Sequence, residues 1–493
     1  MASNHGDSGA GDRSGSGEGG SGEGGSGEGG SDETDAIGPP SGRRERMRAD
    51  RGGIDERAAP TASLDGLTHR SVMGDLDGIE PAWRTLKRKW EHSFHPMCSY
   101  MGMFPASLPH YFVRKLTDEG DVVLDPFSGR GTTALQACVD GRVGIGNDLN
   151  PMAYVLTRAK VNPPPSAAVA ERLDELSAAY TRPPMDDVPD RIRMLYHERT
   201  LGHLVYLKRE FGLGEQGVPE DLHALSDVDN FIAAMLLGVM HGQSDAYLSV
   251  PMPNTFSMSE NYLGNYIEEE GLEVPDRDVF QKLLERLRTV YSDGRPERRG
   301  HAVYGDVRDL PEALAEIDDA GGDVGDGVDL LFTSPPYLKV LKYGLYNWIR
   351  LWFLDEEPDV VDERLDDELD LAEYLEFMTD TLRVADEVLD DETGVAAFVI
   401  GDVDQGDEVI NLAREVADAV VEPMDGFEVG GIVEDRVPDN EKVSRIWGET
   451  KGEATEIDRI LIAHRGELTI KEDPDGLKTK TVRGTQETLG SFG

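Results

Sequence analysis

The chain has few cysteines and no long apolar run, which argues against a zinc-ribbon protein and against a membrane-spanning protein. The chain of 493 residues has two cysteines, Cys98 and Cys138, whereas a structural zinc site takes four ligands, usually supplied as Cys-x-x-Cys pairs. A zinc ribbon is therefore excluded, and we expect no metal site. The longest apolar stretch, 231–240, is shorter than the roughly 18 residues of a membrane span and predicts a buried helix. The polar, acidic N-terminus is unlike a signal peptide, so we expect a cytoplasmic protein with no membrane partner.

Basic residues, and lysine above all, are also scarce. Acidic residues outnumber basic residues 96 to 49, the net charge is −47, and lysine supplies 13 of the 49 bases. This composition resembles that of proteins from salt-accumulating halophiles and favours a halophilic archaeon as the source, with a charge that concerns the solvent rather than a partner. Nucleic-acid-binding proteins usually carry a basic footprint. At molar salt, however, the Debye length falls to about 3 Å, so distant acids are screened and a nucleic-acid partner remains compatible with the charge.

Composition and hydrophobic pattern divide the chain into five segments. Three SGEGG repeats at 16–30 cannot bury a core, and strands alternate with helices elsewhere. The alternation predicts an α/β fold with a doubly wound sheet that ends in an antiparallel pair. The predicted segments are a disordered acidic, glycine-rich tail (1–65), the first part of the α/β domain (78–160), a mainly helical insertion (161–300), the second part of the domain (301–467) and a C-terminal tail (468–493).

The stretch DVVLDPFSGRGTTALQACVDG, at 121–141, predicts a strand, a tight glycine turn at Gly129–Gly131 and a helix from Thr132. Glycines allow a ligand close to the backbone, and the new helix directs its N-terminal N–H groups towards it. A second strand ends at Asp148, 17 residues beyond Gly131 (148 − 131), near the spacing at which an acid meets a ribose. The dinucleotide fingerprint GxGxxG is absent, so the pattern predicts a nucleoside ligand rather than a dinucleotide.

The stretch TSPPY, at 333–337, follows an apolar run that predicts a buried strand. Its two prolines cannot donate to a sheet ladder and hold the preceding residues extended. The result is a stiff turn that offers the carbonyls of Ser334 and Pro335 beside the ring of Tyr337, which match the two N–H donors and the flat face of an aromatic amine. The alternative is a plain Pro-Pro turn with a surface tyrosine.

Together these motifs resemble those of the DNA amino-methyltransferases, which transfer the methyl group of S-adenosylmethionine to cytosine N4 or adenine N6. His95-Pro96, Phe104-Pro105 and Leu108 resemble the third cofactor-side motif of that family. The resemblance covers 90–160 and 300–465 and implies a Rossmann-like methyltransferase sheet. It also implies double-stranded DNA as substrate and, in restriction-modification, a separate cognate restriction endonuclease. The residues it implies for the cofactor are Phe104, Asp125, Phe127, Gly129, Gly131, Thr132, Asp148 and Asp306, and those for catalysis are Ser334, Pro335, Pro336 and Tyr337.

Serine at 334 favours site-specific methylation of cytosine N4, because the family's adenine enzymes more often carry Asp or Asn at that position. Adenine N6, a base in RNA and a non-catalytic nucleic-acid binder remain alternatives. Asp306 would accept from the adenine amine of the cofactor, or else would cap a helix near Pro311. Tyr343 follows closely enough to reach the pocket, and the acid-dense stretch 355–370 beyond it predicts an exposed loop. The insertion has an aromatic, amide-rich loop at 249–266 and recurrent bases, which suit base recognition; the alternative is a helical cap.

Overall fold

The computed structural model describes residues 79, 83, 91–254, 256–325, 327–336, 342–365, 369–404, 409–436 and 457–472. The predicted tail at 1–65, Tyr337 and the stretch 473–493 lie outside the described residues. The described chain contains nine strands: β1 Val122–Asp125, β2 Val143–Asp148, β3 His301–Tyr304, β4 Leu330–Thr333, β5 Val395–Gly401, β6 Val403–Asp404, β7 Val409–Ile410, β8 Glu428–Arg436 and β9 Ile457–His464.

Fifteen α-helices accompany these strands in the described ranges. Short 3₁₀ turns occupy His95–Met97, Tyr291–Asp293 and Val307–Asp309, and a π turn occupies Ala417–Val421. The helices are α1 Ser107–Leu116, α2 Thr132–Val139, α3 Pro151–Val161, α4 Ser166–Ala179, α5 Asp190–Arg193, α6 Glu198–Glu210, α7 Val218–Ala224, α8 Asp227–Val239, α9 Glu260–Glu270, α10 Val279–Val290, α11 Leu310–Asp319, α12 Tyr343–Phe353, α13 Pro358–Arg364, α14 Leu371–Val388 and α15 Leu412–Val416.

Seven strands form one mixed sheet in the order β3-β2-β1-β4-β5-β9-β8. The first five are parallel, and β9 runs antiparallel to both β5 and β8. All seven residues of β5 are buried, as expected for a central strand with helices on both faces. The predicted α/β sheet with a terminal antiparallel pair is therefore confirmed.

Alternate side chains of β4 enter different cores, which shows the double winding directly. Leu330 and Phe332 pack with Phe112 of α1, and the rings of Phe112 and Phe332 lie 5.3 Å apart. Leu331, between them, packs with Leu382 of α14 on the opposite face. Because successive strand side chains point to opposite faces, one short apolar strand anchors helices on both sides of the sheet.

The helices around the strand ends begin at residues suited to helix N-termini. Asn150 caps α3 by accepting from the Met152 amide at 3.0 Å, with Pro151 at the first helical position. Asp370 caps α14 by accepting from the Ala372 and Glu373 amides, and Glu373 accepts from the Asp370 amide at 2.7 Å. Side chains therefore bond amides in the first turn of both helices, which have no partner within the helix itself.

Between β2 and β3 the chain is helical, and α3, α4 and α10 pack against α8. Ten consecutive residues of α8, Asn230–Val239, are buried, which confirms the prediction of a buried helix. Ser226 caps it by accepting from the Asp229 amide at 3.0 Å. In the described ranges no single helix is long and apolar enough to cross a membrane, and the pair α7 and α8, which passes together on length and composition, is bent by 118°.

Two predictions of irregular structure are wrong. The acid-rich stretch 355–370 was expected to be an exposed loop, but it contains α13, which buries Val361 completely. Asp362 accepts from the amides of Gly344 and Leu345 at 2.5 and 3.1 Å, so an acid there satisfies the start of α12 rather than meeting only water. The loop expected at 249–266 gives way to α9 from Glu260 onwards, which buries one apolar residue, Leu263.

Candidate functional site

The carboxyl ends of β1, β2, β3 and β4 surround a cavity of about 400 Å³. Parallel strands end at the same edge of a sheet, and the order reverses between β1 and β4, where doubly wound sheets bind their ligands. The cavity therefore brings together motifs that are more than 200 residues apart in the sequence. The predicted residues that line it are Phe104, Asp125, Phe127, Gly129, Thr132, Asp148, Asp306, Ser334 and Pro336.

Two of the predicted site residues that the structure describes, Gly131 and Pro335, do not line the cavity. Gly131 begins α2 with φ 74°, and a Cβ there would lie 2.7 Å from Thr157 Oγ1 and 3.0 Å from Thr157 Cα. Its glycine is required by the close approach of α2 and α3 rather than by the cavity wall. Pro335 lies between two lining residues but does not itself line the cavity. Tyr337 lies outside the described residues.

Asp148 holds the glycine turn. Its Oδ2 accepts from the Gly129 amide at 2.7 Å, and its Oδ1 accepts from the Asn150 amide at 2.8 Å. Burial raises the pKa of Asp148 to about 6. The predicted ribose-binding carboxylate therefore also determines the shape of the turn that forms the neighbouring cavity wall.

Asp125, at the end of β1, is 2% exposed and bonds two different turns. Its Oδ1 accepts from the Thr333 hydroxyl at 2.6 Å and from the Phe127 amide at 3.2 Å. Burial raises the pKa of this carboxyl to about 7, and its hydrogen bonds, that from Thr333 first, oppose the rise. One buried carboxyl thus connects the glycine-turn segment to the strand that leads into Ser334.

Asp306 follows β3 and caps the 3₁₀ turn at Val307–Asp309, where its Oδ1 accepts from the Arg308 amide at 2.9 Å. The Arg308 guanidinium also donates to both carboxylate oxygens, at 2.8 and 2.5 Å. These hydrogen bonds lower the pKa of Asp306, with the side-chain bond to Arg308 the largest cause. Asp306 therefore both caps this turn and lines the cavity. Because an ionised carboxylate can accept about four hydrogen bonds, Asp306 can also accept one from a ligand.

Two tyrosines, Tyr100 and Tyr343, form an aromatic part of the cavity wall. The rings of Tyr100 and Tyr343 lie 5.8 Å apart, and Asn150 Nδ2 donates to the Tyr100 hydroxyl at 3.1 Å. The Tyr100 ring covers Gly129, whose absent Cβ would meet it at 3.4 Å. Sequence reasoning placed Tyr343 near the pocket but missed Tyr100, whose only signal was its position four residues before Phe104.

The part of the cavity wall that α14 supplies is acidic, and the sequence analysis did not predict it. Glu373, Glu376 and Asp380 line the cavity from α14, and their spacing of three and four residues puts them on one helix face. Arg364 of α13 also lines it and donates to the Tyr304 hydroxyl at 2.9 Å. The net charge of this wall favours a cationic ligand. The helical spacing of the three acids could have indicated in the sequence that they share one helix face. Only the tertiary structure shows that this face lines the cavity.

Several bases of the helical segment are engaged in ion pairs with acids. Arg199 donates to Asp276 at 2.7 Å and to Asp278 at 3.2 Å, and Lys208 donates to Asp355 at 2.5 Å. Their charges are therefore partly neutralised within the fold, and base recognition by this segment stays a prediction. Within the described ranges no group of three or more His, Cys, Asp or Glu side chains is arranged to hold a metal ion.

The part of the chain that contains the glycine turn is similar to known proteins. Residues 62–157 match the model of the N6_N4_Mtase family, described as DNA methylase. The chain is 35% identical over 75 residues to type II methyltransferase M.MjaII of Methanocaldococcus jannaschii, which is 15% of this chain and 14% of that protein. It is 40% identical over 68 residues to type II methyltransferase M.PvuII of Proteus hauseri, which is 13% of this chain and 20% of that protein.

These matches support an amino-methyltransferase family. The chain matches less than a quarter of the length of either relative, and the matched family segment ends well before Ser334. Among solved structures, rRNA methyltransferase aviRa of Streptomyces viridochromogenes overlaps 75% of this chain and 89% of its own, with 11% identity and a TM-score of 0.25.

Proposed function

We propose that the protein is a DNA methyltransferase that transfers the methyl group of S-adenosylmethionine to N4 of cytosine. The observation that carries the proposal is that the Gly129 turn, Asp148 and Ser334 line one cavity. A protein that only bound nucleic acid would need neither a binding site for a free nucleoside nor a turn that accepts the hydrogens of an amine. The presence of both at one cavity therefore favours an enzyme. The family match over 62–157 supports the cofactor side of the proposal.

The residues of the cavity fit S-adenosylmethionine. The turn at Gly129 has φ 51° and presents backbone without a side chain. Asn147 lines the cavity, and its buried Oδ1 has no hydrogen-bond partner among the described residues, so a ligand donor would satisfy it. Asp148 would bind the ribose, Asp306 the adenine amine, and the acids of α14 would favour the positive charge of the ligand.

The turn after β4 supplies the chemistry on the substrate side. When bound, S-adenosylmethionine supplies a methyl group activated by a sulfonium sulfur. The carbonyls of Ser334 and Pro335 accept the two hydrogens of the cytosine amine, which frees its delocalised lone pair and stabilises the charge that develops on nitrogen. A carbon–nitrogen bond forms, the carbon–sulfur bond breaks with its electron pair left on sulfur, and the nitrogen releases one proton to solvent.

A base inside a duplex cannot reach this cavity, so the target cytosine is flipped out at a cost of a few kcal/mol. Stacking on an aromatic side chain contributes about 1–3 kcal/mol and offsets much of that cost. Tyr337 follows the two prolines in the sequence, and Tyr100 and Tyr343 line the cavity, so these three rings are the candidates for stacking. Ser334 favours cytosine over adenine, since the adenine enzymes of the resembling family more often carry Asp or Asn there.

The test is mass spectrometry of nucleosides from double-stranded DNA incubated in molar salt with the purified protein and S-adenosylmethionine. We expect N4-methylcytosine and no N6-methyladenine. N6-methyladenine alone would refute the choice of base but retain the reaction class. Methyl transfer confined to RNA would refute the DNA substrate, and tight binding of S-adenosylmethionine without transfer to any nucleic acid would refute the enzyme.

A further inference from the structure

The two turns of the site lie on neighbouring strands whose backbone pairing ends before either turn begins. The register between β1 and β4 pairs Val123 with Leu330 and Leu124 with Leu331. On its other side β4 stays paired with β5 as far as Thr333 and Phe398. The last residues of β1 and β4, Asp125 and Thr333, therefore have no ladder pair between them.

A side-chain hydrogen bond continues the connection where the ladder stops. The Thr333 hydroxyl donates to Asp125 Oδ1 at 2.6 Å, and Thr333 is 0% exposed. The same oxygen accepts from the Phe127 amide at 3.2 Å, inside the turn that leads to Gly129. Thr333 directly precedes Ser334, so the bond runs from one turn of the site to the other through a single carboxyl.

We propose that the hydrogen bond from Thr333 to Asp125 sets the distance between the amine-binding turn and the cofactor-binding turn, which makes Thr333 a positioning residue for methyl transfer. This inference rests on the proposed function. Methyl transfer needs the attacking nitrogen and the methyl carbon about 3 Å apart and in line, and a misplacement of 1 Å costs on the order of 100-fold in rate. Pro335 and Pro336 restrict the backbone after Ser334, so a displacement at Thr333 passes to the carbonyls with little local relaxation.

The opposite end of the same strand pair offers a matched control. There Asp329 Oδ2 accepts from the Val122 amide at 2.8 Å, so a carboxylate also joins β1 and β4 at the edge remote from the cavity. Asp329 and Val122 do not line the cavity. Loss of this second bond loosens the same pair of strands but leaves the relative position of the two turns unchanged.

The experiment compares Thr333→Val, which removes the hydroxyl, with Thr333→Ser, which retains it, and with Asp329→Ala as the control. Steady-state methylation of DNA gives kcat and KM, calorimetry gives the affinity for S-adenosylmethionine, and thermal melting gives stability, all in molar salt. For Thr333→Val we expect kcat to fall on the order of 10- to 100-fold, with cofactor affinity close to that of the wild type. Thr333→Ser should recover most of kcat, and Asp329→Ala should lower the melting temperature but not kcat.

A wild-type kcat in Thr333→Val would overturn the inference, as would an equal loss of kcat in Asp329→Ala or a failure of Thr333→Ser to restore the rate. If Thr333→Val does not fold, Thr333→Ala removes the same hydroxyl with less volume and decides between the same outcomes. Absence of methyl transfer by the wild type would overturn the proposed function, and this inference with it. An active wild type beside an equally active Thr333→Val would overturn the inference alone.

Discussion

Ionisable groups have different environments in two regions of the molecule. They are buried at the strand ends that form the cavity, whereas they pair at the surface of the helical segment between β2 and β3. At the cavity, Asp125 is buried in the protein, and burial raises its pKa and that of Asp148. In the helical segment, α8 buries ten residues of which Asn230 is the only polar one, and charges such as Arg199 and Asp276 pair at the surface. Burying an ionisable group costs free energy, whereas burying apolar surface is the main source of stability.

This contrast separates two kinds of substitution. Changes in the buried helices should alter folding stability and leave ligand binding by the folded protein intact. Changes at the strand ends should alter binding or turnover without a comparable loss of stability, because the carboxylates there are already costly to bury and their removal can even stabilise the fold. Five measurements test this separation, each with a smaller expected effect than the one before.

The largest effect is expected from Leu236→Ala in α8. Leu236 is 0% exposed, so the substitution removes buried methyl groups and leaves a cavity, at a cost of about 2–5 kcal/mol in the free energy of unfolding. Denaturant unfolding in molar salt measures the loss. Leu345→Ala, at a leucine that is 37% exposed, is the control and should change stability far less. Weaker binding of S-adenosylmethionine by folded Leu236→Ala would contradict the separation.

A second effect comes from the buried carboxyl of Asp125. Burial raises its pKa from the ordinary value of 3.8 to about 7 in the folded protein, so between these two pH values the folded state binds more protons than the unfolded state. The Asp125 contribution to unfolding free energy therefore falls as pH rises from about 4 to about 7. Asp125→Asn keeps an acceptor for Thr333 and should gain stability relative to the wild type across that window, by up to about 4 kcal/mol. A difference that does not change with pH would show that Asp125 stays ionised throughout.

Asp148→Ala should weaken the binding of S-adenosylmethionine by on the order of 10- to 100-fold, which is about 1.4–2.7 kcal/mol. The variant loses both the proposed ribose contact and the anchor of the Gly129 amide. Calorimetry in molar salt measures the affinity, and circular dichroism confirms folding. Unchanged affinity in the folded variant would remove Asp148 from the binding site.

Pro335→Ala should lower turnover about 10-fold, or about 1.4 kcal/mol, with cofactor affinity retained. Alanine frees the φ angle that proline restricts, so the two acceptor carbonyls lose their fixed geometry. Tyr337→Ala tests the proposed stacking face in the same assay. If both variants methylate DNA at the wild-type rate, the turn does not act on the amine as proposed.

The smallest effect is expected from Arg199→Ala. Arg199 pairs with Asp276 and Asp278 at the surface, and exposed ion pairs contribute about 0–1 kcal/mol, less in high salt. Unfolding should therefore change little in molar salt, and DNA methylation should remain. A large, uniform loss of DNA affinity would instead show that this arginine contacts phosphate despite its acidic partners.

Local signals in the sequence predicted the strands that lead into the site, the helix after the glycine turn and most of the named residues that line the cavity. Apolar runs before Asp125 and Thr333 predicted buried strands, and the structure places strands β1 and β4 there. The helix predicted after the glycine turn is observed as α2. These features depend on backbone chemistry within a few residues, where glycine and proline have strong and specific preferences.

Only the tertiary structure decided which side chains face each other across the site. The Thr333–Asp125 hydrogen bond joins residues 208 positions apart, and the pairing of β1 with β4 brings them together. The cavity is also lined by Tyr100, Arg364 and the acidic face of α14, which come from segments far apart in the sequence. Helix α13 shows the limit most clearly: acid density predicted an exposed loop, but Val361 packs inside and Asp362 satisfies the first amides of α12. Contacts of this kind depend on packing between distant segments, which local propensity does not encode.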